Sequence, residues 1–441
     1  MTGPEHQAAP ASVNEWLAYM ESLHTADIEL GLERVMDVAR RLDCLRPAPL
    51  VILVGGTNGK GTTTALLSAL LARQGMRVGV YNSPHILRYN ERVSVNGDDI
   101  SDDDLCASFA MVEAARGNTP LTYFEYGTLA ALAWFRSRQL DACVLEIGLG
   151  GRLDAVNIVE ADLSIVTSIG LDHEAWLGNS LEQIAYEKCS IARPGRFLVC
   201  GQPDAPARGQ QTVEAIGGQW VARGQDYDIS ENADGSLELA FRPYADETVK
   251  MNWRLPQANI PPANVATAIQ ALALLGHLLP EQQVAETVQR LRVAGRLQRW
   301  QHASGLSLTL DVAHNEQAAA YLGSRGLQVN GILLGMLGDK AVEQVVQVLP
   351  VAPRWKLAGL QGPRALDVQT LKTRVQAGLA VAGREPELEG YETVMDAMQS
   401  LLDRGENGHW LVLGSFFTVE QALRFIRESN PDEKDSAWTS I

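Results

Sequence analysis

The sequence predicts two α/β domains, and three features carry that prediction. Short apolar runs lack polar alternation, helical stretches separate them, and the rhythm breaks over residues 203–260 before a second series starts after residue 296. Apolar runs that do not alternate suit strands covered on both faces, as in a mostly parallel sheet. After a polar leader, residues 13–23 and 30–42 repeat apolar side chains at helical spacing, with a short loop at 24–31. Residues 50–54 form an apolar strand, 55–61 a glycine-rich loop, 62–74 a helix and 77–81 a second strand. Residues 141–147 and 162–169 are further buried strands. The Gly, Gln and Asp clusters of 203–260 read as a small β-rich insert, followed by helices at 261–279 and 281–291. The second series has strands at 306–312, 331–334, 355–360 and 409–413, and the polar tail after Glu428 is expected to fray. The expected domains are therefore 1–296 and a smaller, Rossmann-like 297–441.

Composition limits what such a chain does. With 441 residues, 46% of them hydrophobic, it has the length and apolar content for real cores. Its 53 acidic against 37 basic residues give a net charge of −16, which excludes a sequence-independent nucleic-acid binder. Anionic nucleotides remain accessible through a local phosphate-binding device. Five scattered cysteines without a C-x-x-C pair read as reduced thiols. No secretory leader and no apolar run long enough to cross a bilayer stands out, so a cytoplasmic protein is expected, with no membrane or nucleic-acid partner.

The chemistry gathers at predicted strand ends. Gly55-Gly56-Thr57-Asn58-Gly59-Lys60-Gly61-Thr62 joins a strand to a helix. Its glycines let backbone N–H groups surround phosphate oxygens, Lys60 adds positive charge, and Thr62 offers a hydroxyl for Mg²⁺. The loop departs from the strict G-x-x-x-x-G-K-[ST] pattern, since Gly61 follows Lys60. Ligands of an open parallel sheet collect beyond the carboxyl ends of its strands. By that rule Ser83, Glu146 and Asp172-His173 join the loop at one rim. Ser83 also reads as a turn cap before Pro84, and His173 alone as a structural imidazole. Glu146 is more pointed, because an unpaired carboxylate in an apolar strand is costly. Gly148-Leu149-Gly150-Gly151-Arg152-Leu153-Asp154 permits close approach to a ligand, or forms a loop over the sheet edge. Asp311-Val312-Ala313-His314-Asn315 repeats the acid-and-imidazole pattern in the second domain, where Asn315 equally reads as a helix cap.

Several stretches together resemble the folylpolyglutamate synthase/dihydrofolate synthase family, in its bifunctional bacterial form, within the Mur-type ATP-dependent amide ligases. They are GTNGKGTT (56–63), YNSPHILRYNERV (81–93), LTYFEYGTL (121–129), LEIGLGGRLDA (145–155), TSIGLDHEAWLG (167–178), EKCSI (187–191), GR (295–296), DVAHN (311–315) and GSF (414–416). The resemblance implies a P-loop-type ATPase domain and an ATP-dependent ligase acting through an acyl phosphate. Its substrates would be 7,8-dihydropteroate, giving dihydrofolate, and reduced folates, each receiving L-glutamate. It assigns Thr57, Asn58, Gly59, Lys60, Gly61 and Thr62 to the ATP phosphates, and Asn264, Arg296 and Asp311 to the nucleotide. Ser83 and Glu146 match ligands of one Mg²⁺ and His173 a ligand of a second. Lys188 matches a lysine that becomes N6-carboxylated, and His314 a catalytic group near the phosphates. Asp27, Glu29, Leu30, Gly31, Thr122, Tyr123, Phe124, Glu125, Leu153, Asp154 and Ala155 match pterin-binding positions, where Phe124 would stack on the ring and a carboxylate would read its amino-pyrimidine edge. One departure is Glu316, where the family often has proline after DVAHN. A monomer is expected. The competing readings are a UDP-muramoyl amino-acid ligase and, from another class, a P-loop phosphotransferase or nucleotide switch.

Overall fold

The computed structural model describes residues 10–23, 29–243, 250–362, 364–429 and 437–441. They group into two units, one comprising residues up to His85 together with Tyr89–Leu291, the other Ile86–Arg88 and Arg292–Ile441.

The first unit is built on β1 (Leu50–Gly55), β2 (Val78–Tyr81), β3 (Val93–Val95), β4 (Asp98–Asp99), β5 (Ala142–Glu146), β6 (Leu163–Val166), β7 (Phe197–Cys200) and β8 (Gln219–Ala222). They form one sheet in the order β4-β3-β2-β5-β1-β6-β7-β8. The six strands from β2 to β8 in that order run parallel, while β3 and β4 pair antiparallel at one edge. β2, β5 and β6 are buried at every residue, as continuous apolar runs demand of strands sandwiched between helices. β1 lies between β5 and β6, and the chain crosses it on passing from β5 to β6. Register places Val54 beside Glu146 and Gly55 beside Val166, which aligns the carboxyl ends along one rim.

The insert is smaller than the sequence suggests. Among the described residues, only β9 (Asp228–Glu231), β10 (Leu237–Phe241) and β11 (Met251–Leu255) form the separate antiparallel sheet. Residues 207–222 instead continue the main fold, as helix Ala207–Ile216 and β8. Their Gln- and Gly-rich composition hides one buried face, carried by Thr212 and Val213.

The second unit has β12 (Gln298–His302), β13 (Leu306–Asp311), β14 (Gly331–Leu334), β15 (Arg354–Ala358), β16 (Glu387–Tyr391), β17 (Gly408–Leu413) and β18 (Trp438–Ser440). Their order is β16-β15-β14-β17-β13-β12-β18, parallel except for β12 and β18. The polar tail does not simply fray: β18 pairs with β12 and buries Trp438. Among the described residues, no helix is long and apolar enough to cross a membrane.

Candidate active site

The glycine-rich loop is fastened from behind. Thr57 N–H donates to Ser168 O (2.9 Å), Asn58 N–H to Ser168 Oγ (2.9 Å), and Thr167 Oγ1 to Asn58 O (2.6 Å). Gly56 is required there, because a Cβ on it would stand 2.0 Å from Thr167 Oγ1. Gly59, in the left-handed region with φ 87°, begins helix Lys60–Ala72, and no side chain caps that helix. Its first N–H groups therefore point outward as anion donors. Lys60 Nζ reaches back to Gly56 O (3.0 Å) and Thr57 O (3.3 Å), over the loop. Thr62 is 1% exposed, donates to Gly59 O (3.0 Å) and accepts from Asn264 Nδ2 (2.6 Å), which ties Asn264 to the loop.

Gly61 stands where the strict pattern has Ser or Thr, and a Cβ there would lie 3.8 Å from Glu146 Oε2. The carboxylate of β5 thus lies over the start of the helix, in the region a hydroxyl side chain would otherwise reach. The same oxygen accepts the Ser83 N–H (3.2 Å), so the segment after β2 and the end of β5 meet. Ser83 and Glu146 supply hard oxygen donors beside a phosphate loop, which fits Mg²⁺ completed by phosphate and water. His173 follows β6, in the left-handed region with φ 52° and beside Asp172. Among the described residues, no three His, Cys, Asp or Glu side chains converge into a single metal cluster.

Lys188 is buried on helix Leu181–Cys189. Burial, reinforced by the Lys60 ammonium, brings its pKa down to about 7, although Asp172 and Asp154 pull the other way. The glycine loop after β5 packs on this helix: Arg152 N–H donates to Glu187 O (2.9 Å), and a Cβ on Gly151 would meet that oxygen at 2.6 Å. Asp154 folds the loop back, its carboxylate accepting the N–H groups of Leu149 (2.7 Å) and Val156 (2.9 Å). Burial pushes its pKa up to about 6. Ala155 opens a short 3₁₀ turn and is buried, while Leu153 is half-buried.

Thr122 caps helix Tyr123–Ser137, and Glu125 closes the reciprocal capping box. Phe124 lies against the loop after β5, where a Cβ on Gly148 would come within 2.3 Å of its ring. Tyr123 sits edge-on to Tyr89, under the Arg92 guanidinium. Glu125 is buried and accepts from Arg34 Nε at 3.0 Å on both oxygens. Glu29 also engages Arg34, and Leu30 and Gly31 follow it, half-buried. Asp27 lies outside the described residues.

In the second unit, both oxygens of Asp311 accept backbone N–H groups, from Leu297 (2.9 Å) and Ala313 (2.9 Å). Burial raises its pKa. His314 Nδ1 bonds Val312 O (2.8 Å), and Asn315 caps helix Glu316–Ser324. Arg296 lies over the Phe416 ring at 5.2 Å, and His314 flanks the same ring at 6.3 Å.

A family model, the Mur ligase middle domain, matches residues 54–200. The chain is 39% identical over 433 residues to the dihydrofolate synthase/folylpolyglutamate synthase of Escherichia coli (strain K12), covering 95% of this chain and 96% of that protein. It is 37% identical to the Haemophilus influenzae protein of the same name, covering 94% and 97%. Among solved structures it is similar to E. coli FolC in complex with DHPP and ADP, at 37% identity and TM-score 0.86, over 95% of this chain and 99% of that one. A bifunctional folylpolyglutamate synthase/dihydrofolate synthase with Mn, AMPPNP and L-glutamate bound matches at 38% identity and TM-score 0.85, over the same shares. The chain belongs to the dihydrofolate synthase/folylpolyglutamate synthase family.

Within this family member, two features escaped the sequence reading. Thr167 and Ser168, at the end of a stretch the sequence predicts as a strand, brace the phosphate loop. Phe416, in the GSF stretch, carries Arg296 and His314 against its ring. Spacing alone signals neither, because each acts on residues more than 100 positions away.

Proposed function

We propose that the rim at the ends of β1, β2, β5 and β6 activates the carboxylate of a pteroyl acid with ATP and delivers it to L-glutamate. The protein is an ATP-dependent ligase that adds glutamate to dihydropteroate and folates, and the proposal concerns how its residues do so. A carboxylate oxygen attacks the γ-phosphorus and ADP leaves. The amine of glutamate then attacks the acyl carbon, phosphate leaves with the original carboxylate oxygen, and the nitrogen loses a proton. The observation that carries this reading is the Glu146 carboxylate lying over Gly61 beside an uncapped helix start.

Repulsion between two anions is the main obstacle, and preorganised positive charge is the remedy. Gly59, Lys60 and Gly61 present backbone N–H groups while those of Thr57 and Asn58 fasten the loop to Ser168, Lys60 adds an ammonium, and Asn264 holds the loop through Thr62. Ser83 and Glu146 would hold one Mg²⁺ and His173 a second, supplying further positive charge to the phosphoryl oxygens when bound. Lys188 is suited to carboxylation, since a buried amine with a pKa lowered to about 7 has a substantial neutral fraction that is nucleophilic towards CO₂. Arg296, Asp311 and His314 keep the nucleotide and catalytic roles that the resemblance assigns. Phe124 stacks on the pterin between Thr122 and residues 153–155. Reduced folates as second substrate, a monomeric state and a cytoplasmic location belong to the same reading; the five free cysteines accord with the last.

The test is purified protein with ATP, Mg²⁺ and glutamate, offered dihydropteroate and tetrahydrofolate separately, with products weighed by mass spectrometry. One added glutamyl residue on each, with stoichiometric ADP and phosphate, is expected. Glutamate-independent ATP turnover without an amide product would overturn the proposal.

A further inference from the structure

We infer that Arg34 is a positioning residue for the pterin substrate, clamping the loop at 29–31 to the start of helix Tyr123–Ser137. The inference rests on the pterin assignment above and deepens it, since nothing assigns Arg34 a role. Arg34 lies in the first turn of helix Glu33–Arg41, and its guanidinium uses all three nitrogens. Nε donates to both oxygens of Glu125 at 3.0 Å, and Nη2 reaches Glu125 Oε1 at 3.0 Å. Nη2 also donates to Glu29 O (2.7 Å), and Nη1 pairs with the Glu29 carboxylate. Glu125 Oε2 in turn accepts the N–H (2.8 Å) and hydroxyl (3.1 Å) of Thr122.

The two arms differ in kind. The Glu125 side chain is 4% exposed and anchors the fork in the protein, whereas Glu29 is 47% exposed and belongs to the loop being held. A planar fork with several fixed donors suits such a bridge; an ammonium on a flexible stem does not. Glu125 is therefore engaged by Arg34 and Thr122, and its effect on a pterin runs through the placement of Thr122 and Phe124. Arg34 thereby fixes the spacing between two segments that flank the ring, with no contact to the phosphate loop among its hydrogen bonds.

The test is steady-state kinetics on the full chain for Arg34→Ala, Arg34→Lys, Glu29→Gln and Phe124→Ala, each with its thermal midpoint. Losing charge-assisted bonds of this kind predicts a KM for dihydropteroate raised about 10- to 100-fold in Arg34→Ala. The KM values for ATP and glutamate should stay near wild type. Glu29→Gln, which touches only the exposed arm, should reproduce a smaller part of the same KM change at unaltered thermal midpoint. Arg34→Lys should recover stability more than pterin KM. If Phe124→Ala raises the pterin KM while Arg34→Ala and Glu29→Gln do not, the clamp is wrong and the pterin assignment stands. If none of the three moves it, both fail. Equal changes in all three KM values of Arg34→Ala, with no effect of Glu29→Gln, reduce Arg34 to a purely structural residue and overturn the inference.

Discussion

In both units a parallel strand passes through a short turn into a helix, but the two helix starts are finished in opposite ways. Helix Lys60–Ala72 begins at Gly59 in the left-handed region without a side-chain cap. Helix Glu316–Ser324 begins at Asn315 in extended backbone, and Asn315 Oδ1 accepts the Ala318 N–H at 3.0 Å. A capped end has one donor fewer to offer an anion, whereas an uncapped end leaves its donors to ligand or water. The neighbouring acids differ too. Asp311 has each oxygen on a backbone N–H, as a residue that shapes its own turn would. Glu146 reaches across to Gly61 and the Ser83 N–H, towards other strand ends. The same local motif thus presents an open helix start in one unit and a capped one in the other, and the acid beside the capped start engages its own turn.

Removing the charge from the open end should have the largest effect. Lys60→Ala takes away the ammonium of the loop while leaving its glycine framework intact. Ligation is expected to fall by roughly 10²–10³-fold, the range for losing one preorganised donor at a charged transition state. Amide product counted by mass spectrometry checks this, and turnover within a few-fold of wild type would mean that phosphate is not held there.

Lys188 sharpens the contrast from the side of the same rim. Below about pH 7 its ammonium is protonated and inert towards CO₂; above it, the amine is neutral and reactive. Activity at fixed dissolved CO₂ should therefore rise with pH through that value, and stripping bicarbonate should slow the wild type. Lys188→Ala should lose both responses along with about 10²-fold of the rate, taking the cost of one preorganised group as the guide. A short carboxylate added to the buffer should restore part of it. A bicarbonate-independent wild type would remove the carbamate from the proposal and leave Lys188 a buried amine.

How much of this was legible in the sequence depends on how far away each residue's partner lies. The parallel core was readable because strands such as β5 and β6 are buried on both faces and so are continuously apolar. β12 was not, since a strand near the sheet margin with only partial burial keeps Gln, Arg and His. Helix Ala207–Ile216 was missed because its buried residues are Gly209, Thr212 and Val213, too few and too small to set a periodicity. At the rim, position at a strand end picks out Glu146 and the glycine-rich loop, which the structure brings together. The same rule says nothing about Glu125, whose partner Arg34 is 91 positions away. A carboxylate in a ligand-binding motif and one in a capping box look alike until the guanidinium is placed.

Asn315 gives the smallest effect and isolates the cap itself. Its side-chain bond to Ala318 N–H satisfies one of the helix's unpaired donors. Asn315→Ala therefore leaves the donor to water at a cost of about 1 kcal/mol. For a unit of this size that corresponds to a midpoint lowered by about 2–4 °C, read from the unfolding transition by circular dichroism. Capping has no counterpart at Gly59, so the affinity of the phosphate loop for ATP should not change. A KM for ATP raised as much as by a change in the loop would mean that the N–H donors of the capped helix start also bear on phosphate, and that an open N-terminus is not what separates the two ends. A lowered midpoint with an unchanged KM would instead place the cap wholly in folding.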